Sequence, residues 1–354
     1  MTSNEQRRAE LKQLQSLPLD TKIDLTKQRI REWDYRYMGA VYLSWSGGKD
    51  STVLRHIAMQ EIPDIHSVFV NTGLEYPEIQ KFVKDAKERG ENVEILYPKM
   101  RFPDVIKKYG YPVISKEVSG TIYWARKSIE AGNMNTVCVR KMMGLLRNGE
   151  DYGSQYNHEK YRPLMNVDFK VSDRCCRIMK KGPAHKYDLG TGRKPITAQM
   201  ACESKLRLQK WIKNGCNGFD MKRPVSNPMS FWTDQDVLQY IKEYNVEIPS
   251  VYGDIVYVGN EDQMHFDECG GTLCTTGCKR TGCIYCAYGA HLEKQGEHRF
   301  LRLKETHPKQ YKYCIGGGEY DEDGLWVPSK DGLGMGHVFD VLNEIYGKDF
   351  IPYK

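Results

Sequence analysis

The stretch Val41–Leu54, VYLSWSGGKDSTVL, decides the fold. Its apolar first residues predict a buried strand, and the apolar spacing after Ser51 predicts a helix. The pair Gly47-Gly48 allows a tight turn whose backbone N–H groups approach an anion, and the helix N-terminus directs its dipole at the same place. Lys49 adds a cation. The stretch therefore predicts a phosphate or pyrophosphate site, although it does not fit the Walker A spacing GxxxxGK[ST].

Strands and helices alternate after this stretch. Strands are predicted at Ser67–Val70 and Val93–Tyr97, and each is followed by a helical pattern. Apolar strands that alternate with helices indicate a parallel sheet, whose ligands lie beyond the carboxyl ends of the strands. The turns at Ser46 and Asn71 both fall at this edge. Farther along the chain, Thr233 is predicted to cap a helix.

The composition excludes some classes of protein. The chain has 354 residues and a formal net charge of +6, which permits contact with nucleotides or nucleic acid without requiring it. No apolar run is long enough to span a membrane, and the charged N-terminus lacks a signal-peptide pattern. We therefore expect a cytoplasmic protein without a membrane segment. Its 11 cysteines then indicate metal or redox chemistry and argue against a disulfide framework.

Two cysteine pairs stand out. Cys283 and Cys286 form a CxxC spacing, which brings two thiolates to one metal but supplies only half of a four-ligand site. Cys175 and Cys176 are adjacent, and basic neighbours such as Lys180 favour their thiolate forms. A thioredoxin-like CxxC is an alternative, although it leaves Cys175-Cys176 unexplained. Buried unreactive thiols are the alternative for the adjacent pair.

Several motifs together resemble the phosphoadenosine phosphosulfate (PAPS) reductase family, an iron–sulfur-containing branch of the PP-loop ATP pyrophosphatase superfamily. They are SGGKDS at 46–51, NTGLEYP at 71–77, the CC pair, WTDQDVLQYI at 232–241 and the CxxC pair. The resemblance covers residues 36–290 and implies an α/β fold with a parallel-sheet, adenine nucleotide α-hydrolase-like (Rossmann-like) domain. We expect the PP-loop nucleotide-binding domain at 36–220 and a helical, cysteine-rich region at 221–354, and the charged, helical pattern of residues 4–35 predicts a helical extension at 1–35.

The resemblance also implies roles for individual residues. It implies nucleotide binding by Ser44, Ser46, Gly47, Gly48, Lys49, Asp50, Ser51, Asn71, Thr72, Gly73, Ser204 and Arg207, with Lys49 and Asp50 catalytic. It implies a [4Fe–4S] cluster held by Cys175, Cys176, Cys283 and Cys286 beside Lys180; adjacent cysteines also suit such a cluster better than a tetrahedral zinc ion. Asn71 stands where the family has an acidic residue, and the first arginine of the family's TGxRxxES segment is missing.

Three functions fit these motifs. Lys49 and Asp50 match relatives that cleave ATP between the α and β phosphates with Mg²⁺, so we expect an enzyme that activates an acceptor for sulfur transfer. A PAPS or APS reductase that releases sulfite is the first alternative, and a non-catalytic nucleotide-sensing subunit of a DNA-associated complex is the second. The expected partners are ATP or PAPS/APS, a protein sulfur donor or thiol reductant, and a nucleic acid or DNA-associated protein.

The remaining cysteines bear on the choice between these functions. The family's reductases carry their nucleophile in an ECGLH-like C-terminal tail, whereas Glu268-Cys269-Gly270 precedes the CxxC pair here. A reductase would draw its nucleophile from Cys269, Cys274, Cys278 or Cys314, with Cys269 favoured by its glycine-rich surroundings. Alternatively, Cys269, Cys274 and Cys278 bind zinc with His265. We expect Cys138, Cys202 and Cys216 to be core or wall residues.

Overall fold

The structure is a computed structural model that describes residues 3–151, 153, 157–259, 271–293 and 298–354. The chain forms two compact units. The loop unit comprises Met1–Asn71, Glu75–Tyr97 and Ala184–Thr281, and the cysteine unit comprises Thr72–Leu74, Pro98–Pro183 and Gly282–Lys354. The expected three-part division at residues 35 and 220 stays a prediction.

The α-helices and strands run as follows. The helices are α1 (Ser3–Gln15), α2 (Leu19–Arg36), α3 (Lys49–Glu61), α4 (Pro77–Glu88), α5 (Phe102–Tyr109), α6 (Lys116–Glu130), α7 (Val137–Met143), α8 (Arg174–Cys176), α9 (Gly182–Thr191), α10 (Lys205–Asn214), α11 (Asp234–Glu243), α12 (Arg299–Thr306), α13 (Pro308–Ile315) and α14 (Met335–Tyr346). The strands are β1 (Val41–Ser44), β2 (Ser67–Val70), β3 (Val93–Leu96), β4 (Val113–Ile114), β5 (Lys194–Ile196), β6 (Asn217–Gly218), β7 (Val225–Ser226), β8 (Ile255–Val258), β9 (Thr272–Thr275), β10 (Ala287–Tyr288), β11 (Glu319–Tyr320) and β12 (Trp326–Val327).

The loop unit is built on a mainly parallel sheet in the order β3-β2-β1-β5-β7-β6. Strands β1, β2, β3, β5 and β7 are parallel, and β6 pairs antiparallel with β7. The register aligns Leu43 of β1 with Ser67 of β2 and with Ile196 of β5. The mixed α/β fold with a parallel sheet that the sequence predicts is therefore confirmed.

The apolar residues of the opening stretch explain why it folds in this way. Val41, Tyr42 and Leu43 are buried in β1, and α3 buries Val53 and Ile57. A strand with a continuous apolar run suits the centre of a parallel sheet that is covered on both faces. The glycine turn between β1 and α3 consequently lies at the carboxyl edge of the sheet, as predicted.

The N-terminal helices belong to the loop unit. Helix α2 buries Ile23, Ile30 and Trp33, as expected of an amphipathic helix. It also buries Lys22, whose ammonium pairs with an Asp236 carboxylate oxygen at 2.7 Å. The predicted cap of α11 is confirmed, because the Thr233 hydroxyl accepts a hydrogen bond from the Asp236 N–H and the Asp236 carboxylate accepts one from the Thr233 N–H. No helix within the described residues is long and apolar enough to cross a membrane.

The cysteine unit is mainly helical. Its short strands β4 and β10 pair in parallel, and its core contains Ile122, Leu164, Phe300 and Phe339. Helix α8 runs directly into a π-helix at Arg177–Lys181. A π-turn widens the helix by one residue and is frequent at functional sites. The two cysteine motifs of the sequence both lie in this unit.

Candidate functional site

The glycine turn of the loop unit is closely packed. Gly47 has φ +70°, and a Cβ atom added there would lie 2.7 Å from the Ile79 side chain and 2.9 Å from the Val83 side chain of α4. A Cβ atom at Gly48 would lie 3.0 Å from the Tyr252 hydroxyl. Both glycines therefore let the turn pack against its neighbours, and Gly47 also supplies the left-handed backbone conformation.

Hydroxyl groups fix the shape of the turn. The Ser46 and Ser51 hydroxyls lie 2.9 Å apart, and the Ser51 hydroxyl donates to the Gly48 carbonyl at 3.0 Å. The Ser46 N–H is bonded to the Ser51 oxygen at 3.2 Å. Ser44 is the last residue of β1. The predicted residues from Ser44 to Ser51 thus form one continuous segment, which runs from the end of β1 through the glycine turn into the first residues of α3.

Lys49 is the buried cation of this turn. Its residue is 3% exposed, and its ammonium lies 2.6 Å from an Asp50 carboxylate oxygen and 3.5 Å from Asp234. Asp234 begins α11 and also pairs with Arg280 at 3.0 Å. Burial opposes ionisation of Asp234, but Lys49 and Arg280 outweigh it and hold the pKa of that carboxyl below its usual value. The turn therefore brings together two cations and two carboxylates.

Tyr252 holds the start of α3 in place. The Lys49 N–H donates to the Tyr252 hydroxyl at 3.1 Å, and that hydroxyl lies 2.6 Å from the Thr281 hydroxyl. Burial raises the pKa of Tyr252 to about 12, so its hydroxyl stays protonated at neutral pH. The sequence reasoning did not assign Asp234, Tyr252, Thr281 or Arg280 to the site. The position of Asp234 directly after the predicted cap of α11 was the available signal for that residue.

Ser204 and Arg207 lie at the start of α10. The Ser204 hydroxyl accepts from the Arg207 N–H at 3.3 Å, and the Arg207 side chain pairs with Glu203. Burial and the charge of Arg280 lower the pKa of Arg207, while the charge of Asp50 raises it. Arg207 is therefore within electrostatic range of the glycine turn, whereas Ser204 is used as a helix cap.

Cys202 is not a core residue. It is exposed, in a short 3₁₀ turn at Ala201–Glu203 that buries Ala201, and its thiol lies 3.4 Å from the Trp232 carbonyl. Partial burial of the thiol and the charge of Asp234 raise the pKa of Cys202, so it is within electrostatic range of the residues around the glycine turn. Cys138 and Cys216 are half-buried.

Asn71 directly follows β2, so it lies at the same sheet edge as the glycine turn. Its N–H donates to the Leu96 carbonyl of β3 at 2.9 Å, and the residue is 8% exposed. Thr72 is also buried, and its hydroxyl accepts from the Leu74 N–H at 3.2 Å. Gly73 has φ +73°. These contacts account for a tight turn after β2.

The four predicted ligand cysteines lie around one pocket of the cysteine unit. Cys175, Cys176, Cys283 and Cys286 line it together with Leu74, Phe102, Pro112, Met179 and Lys180. The atom-free space between them is about 300 Å³, part of which is open to solvent. The Ile284 N–H donates to the Leu74 carbonyl at 2.8 Å and holds the CxxC turn against the pocket wall. Cysteine pairs that are distant in the sequence are therefore neighbours in space.

The electrostatics of the pocket favour a thiolate at Cys176. The hydrogen bond between the two adjacent thiols lowers the pKa of Cys176 and raises that of Cys175, and Lys116 and Lys180 lower the pKa of Cys176 further. Burial raises the pKa of Cys286. Lys116 is the first residue of α6, and the sequence alone did not rank it among the other basic residues of its segment.

The chemistry of the donor set fits an iron–sulfur cluster. Four thiols line one mostly apolar pocket, and a cluster offers a separate iron to each thiolate. The apolar lining would limit the access of water to such a group.

The other cysteines do not form a site within the described residues. Cys274 lies in β9 opposite Val256, and Cys278 is buried. Cys314 is buried in α13, where its thiol lies 3.7 Å from the Met335 sulfur. Cys269 and His265 lie outside the described residues, so the predicted zinc site and the predicted reductase nucleophile stay predictions.

A glycine turn with its lysine, between a central parallel strand and a helix N-terminus, defines a PP-loop type of α/β domain. Residues 40–116 match the family model of the phosphoadenosine phosphosulfate reductase domain. This part of the chain is therefore similar to that family, as the motifs of the sequence predict.

Two curated proteins are similar in sequence. An uncharacterized protein of Methanocaldococcus jannaschii is 25% identical over 295 residues, which are 81% of this chain and 51% of that protein. A phosphoadenosine 5′-phosphosulfate reductase of Alkalilimnicola ehrlichii is 36% identical over 73 residues, which are 20% of this chain and 30% of that protein. The chain thus spans about half the length of the first relative and less than a third of the second.

Two solved structures show a slight likeness. The PAPS reductase of Candida auris in complex with phosphate has a TM-score of 0.37 at 14% identity, over 70% of this chain and 98% of that one. The U34-tRNA thiolase NcsA of Methanococcus maripaludis with its [4Fe-4S] cluster has a TM-score of 0.34 at 13% identity, over 65% of this chain and 66% of that one.

Proposed function

We propose that the chain is an adenine-nucleotide enzyme that cleaves ATP between the α and β phosphates and so activates an acceptor for sulfur transfer. The observation that supports this best is the position of Lys49, buried at the N-terminus of α3 between the carboxylates of Asp50 and Asp234. An incoming triphosphate would offer the ammonium new anionic partners and leave the two carboxylates for a cation. Mg²⁺ bound with ATP would supply bridging of phosphate oxygens and neutralise their charge.

The proposed roles follow from charge and position. Lys49 and the backbone N–H groups of the turn would stabilise the negative charge that develops on the departing pyrophosphate. Arg280, which pairs with Asp234, would add a second cation at the same turn. Arg207 is in electrostatic range of Asp50 and would orient the nucleotide. Tyr252 would act as a positioning residue, because it fixes the Lys49 N–H.

We also propose that Cys175, Cys176, Cys283 and Cys286 hold a [4Fe–4S] cluster. Their shared pocket, its apolar lining and the lysines beside Cys176 support this assignment. When bound, the cluster would supply electron transfer or a coordination site for sulfur. Lys116 and Lys180 would balance part of the negative charge of the four thiolates.

The experiment for the nucleotide role uses anaerobically purified full-length protein with ATP and Mg²⁺. We expect release of pyrophosphate, and we expect Lys49→Ala to lower its rate on the order of 10²–10³-fold because a preorganised donor to the leaving group is lost. The matched control is Lys81→Ala, since Lys81 lies on the same unit and its exposed side chain pairs with Asp85 on the surface of α4. Full turnover by Lys49→Ala would contradict the proposal.

A parallel assay addresses the reductase alternative. The same protein is incubated with PAPS or APS and a thiol reductant such as thioredoxin, and sulfite is measured. We expect no sulfite. Sulfite release that is lost in Cys269→Ser would overturn the proposed reaction in favour of sulfonucleotide reduction.

A further inference from the structure

A groove on the cysteine unit, outside the two sites above, is lined by charged and aromatic side chains. It has a volume of about 750 Å³ and is formed by the C-terminus of α5, one face of α6 and the segment from 162 to 171. Its charged lining consists of Lys108, Arg126, Lys127, Arg162 and Lys170 against the single carboxylate of Glu130. We name this feature the basic groove. An excess of four positive charges in one concave surface favours the binding of an anionic ligand.

The helix periodicity explains one wall of the basic groove. Tyr123, Arg126, Lys127 and Glu130 of α6 follow a spacing of three and four residues, so they lie on one face of the helix. The opposite face buries Val118, Ile122 and Ala125 in the core, as well as Thr121. The groove face of α6 is therefore polar and aromatic along about two helical turns.

Arg126 builds the facing wall. Its guanidinium donates to the backbone carbonyls of Leu164 at 2.9 Å, Met165 at 3.1 Å, Val167 at 3.3 Å and Phe169 at 2.8 Å. These bonds fix the backbone from 164 to 169, and further groove residues directly precede and follow this segment. Arg126 is thus a positioning residue whose charge stays at the floor of the groove.

The other cations of the basic groove are available to a ligand. Lys108, Lys127 and Arg162 are exposed and Lys170 is half-buried, and none of the four has an ion pair or side-chain hydrogen bond with a described residue. The nearest aromatic partners of the lysines are rings of the groove itself, with the Lys127 ammonium 5.2 Å from the Tyr123 centroid and the Lys108 ammonium 5.5 Å from the Tyr109 centroid.

We propose that the basic groove binds single-stranded nucleic acid. Cations spread over three chain segments suit a row of phosphates, and the half-buried Tyr109 and Tyr123 rings offer stacking surfaces for bases. Apolar lining residues such as Ile129 and Met165 add to this surface. An acidic protein would use the charges but would leave the rings within the concave surface unexplained.

The basic groove also leads toward the cysteine pair within the same unit. The Arg174 guanidinium lies 4.7 Å from the centroid of Tyr123 and 4.7 Å from that of Trp124, and Arg174 directly precedes Cys175. A strand in the groove would therefore lie against the segment that carries Cys175. This inference does not rest on ATP cleavage, because no residue of the groove belongs to the loop unit.

The experiment is fluorescence anisotropy with 5′-labelled 12-nucleotide oligo(dT) and oligo(U), in the absence of ATP. We expect binding at low salt whose logarithmic salt dependence has a slope of about −3, since each of the four free cations contributes about −0.7 on a single strand. Lys127→Ala and Arg162→Ala should each make the slope less steep by about 0.7. A blunt-ended duplex of the same length should bind more weakly, because its bases cannot stack on the tyrosines.

Matched variants separate the groove from general basic charge. Lys108→Glu should weaken binding at least tenfold, whereas Lys107→Glu should not, because Lys107 is exposed on the same helix but does not line the groove. Tyr123→Leu should weaken binding on the order of tenfold through lost stacking. Circular dichroism confirms that each variant is folded.

Four results would overturn the inference. They are equal effects of Lys107→Glu and Lys108→Glu, equal affinity for the duplex, complete displacement of the oligonucleotide by millimolar ATP, and displacement by poly-glutamate as effective as by unlabelled oligonucleotide. Displacement by ATP would indicate that the oligonucleotide binds at the glycine turn. Displacement by poly-glutamate would indicate that the basic groove binds an acidic protein. Each outcome is independent of whether the protein releases pyrophosphate, so the two proposals can fail separately.

Discussion

At the scale of single residues, the glycine turn combines tight packing with an unusual concentration of charge. Lys49 is buried, and such a cation requires partners, which Asp50 and Asp234 provide. The Lys49 ammonium therefore lies where we expect a phosphate to bind, at a helix N-terminus whose dipole also favours anions. The same packing that positions Lys49 leaves no space for a side chain at Gly47.

Gly47→Ala should therefore destabilise the protein for two reasons. A left-handed conformation costs an alanine roughly 1–2 kcal/mol, and the new methyl group would collide with Ile79 and Val83 of α4. Gly90→Ala is the matched control, because Gly90 has φ +83° but open space around its Cβ position. Urea unfolding should give a larger loss for Gly47→Ala than for Gly90→Ala. Equal losses would mean that the turn yields to the added methyl group.

At the scale of secondary-structure elements, α6 serves two surfaces of the cysteine unit. Its first residue, Lys116, acts electrostatically on Cys176, and its later residues Tyr123 and Lys127 line the basic groove. Helix α8 and the π-helix after it hold Cys175 and Cys176 at the pocket. Helix α6 therefore contributes basic residues to both features, Lys116 at its start and Lys127 near its end.

The cysteine pocket makes a prediction about iron. Cys283→Ser should lower the iron content of anaerobically purified protein well below the expected four irons per chain, since one thiolate ligand of the cluster is lost. Cys138→Ser is the control within the same unit, because Cys138 lies in α7 and does not line the pocket. Iron and zinc are measured together by mass spectrometry. Stoichiometric zinc without iron in the wild type would contradict the assignment.

His298, which precedes α12, predicts a pH dependence of stability. Its Nε2 donates to the Ala290 carbonyl at 3.0 Å, and its Nδ1 accepts from the Phe300 N–H at 3.4 Å. The neutral ring therefore uses both of its nitrogens in hydrogen bonds. Burial lowers the pKa of His298 below 6.5. The unfolded chain therefore binds more protons below about pH 6.5, and the free energy of unfolding should fall as the pH decreases through the folded pKa.

Urea midpoints between pH 7.5 and 5.5 measure this effect. Burial also lowers the pKa values of His56, His158 and His291, so His298→Gln should reduce the slope without abolishing it. His185→Gln, which changes an exposed histidine, should leave the slope unchanged. An unaltered slope in His298→Gln would show that His298 does not contribute.

At the scale of the whole molecule, the sequence predicts what is local and misses what is distant. The strand, glycine turn and helix at Val41–Leu54 and the cap at Thr233 follow from patterns within a few residues. Tyr252 lies 203 positions from Lys49 in the chain. No local sequence pattern predicts that its hydroxyl accepts a hydrogen bond from the Lys49 N–H. The exposure of Cys202 was missed for a related reason, since a short 3₁₀ turn lacks a periodic pattern.

The cysteine motifs are an instructive intermediate case. The resemblance to a family related Cys175-Cys176 to Cys283 and Cys286, although the pairs lie far apart in the chain, and they line one pocket of the cysteine unit. The contribution of Lys116 required the fold, because only the start of α6 brings it near Cys176. The basic groove likewise depends on Arg126 holding a distant segment in place.

³¹P NMR of the products shows directly which phosphate bond of ATP the protein breaks. The full-length protein, purified anaerobically, is incubated with ATP and Mg²⁺ at protein concentrations comparable to that of the nucleotide. We predict resonances of pyrophosphate and of AMP or an adenylylated product, which Lys49→Ala does not generate and Lys81→Ala does. Formation of ADP and orthophosphate, or ATP left intact while PAPS is converted to sulfite, would contradict the account.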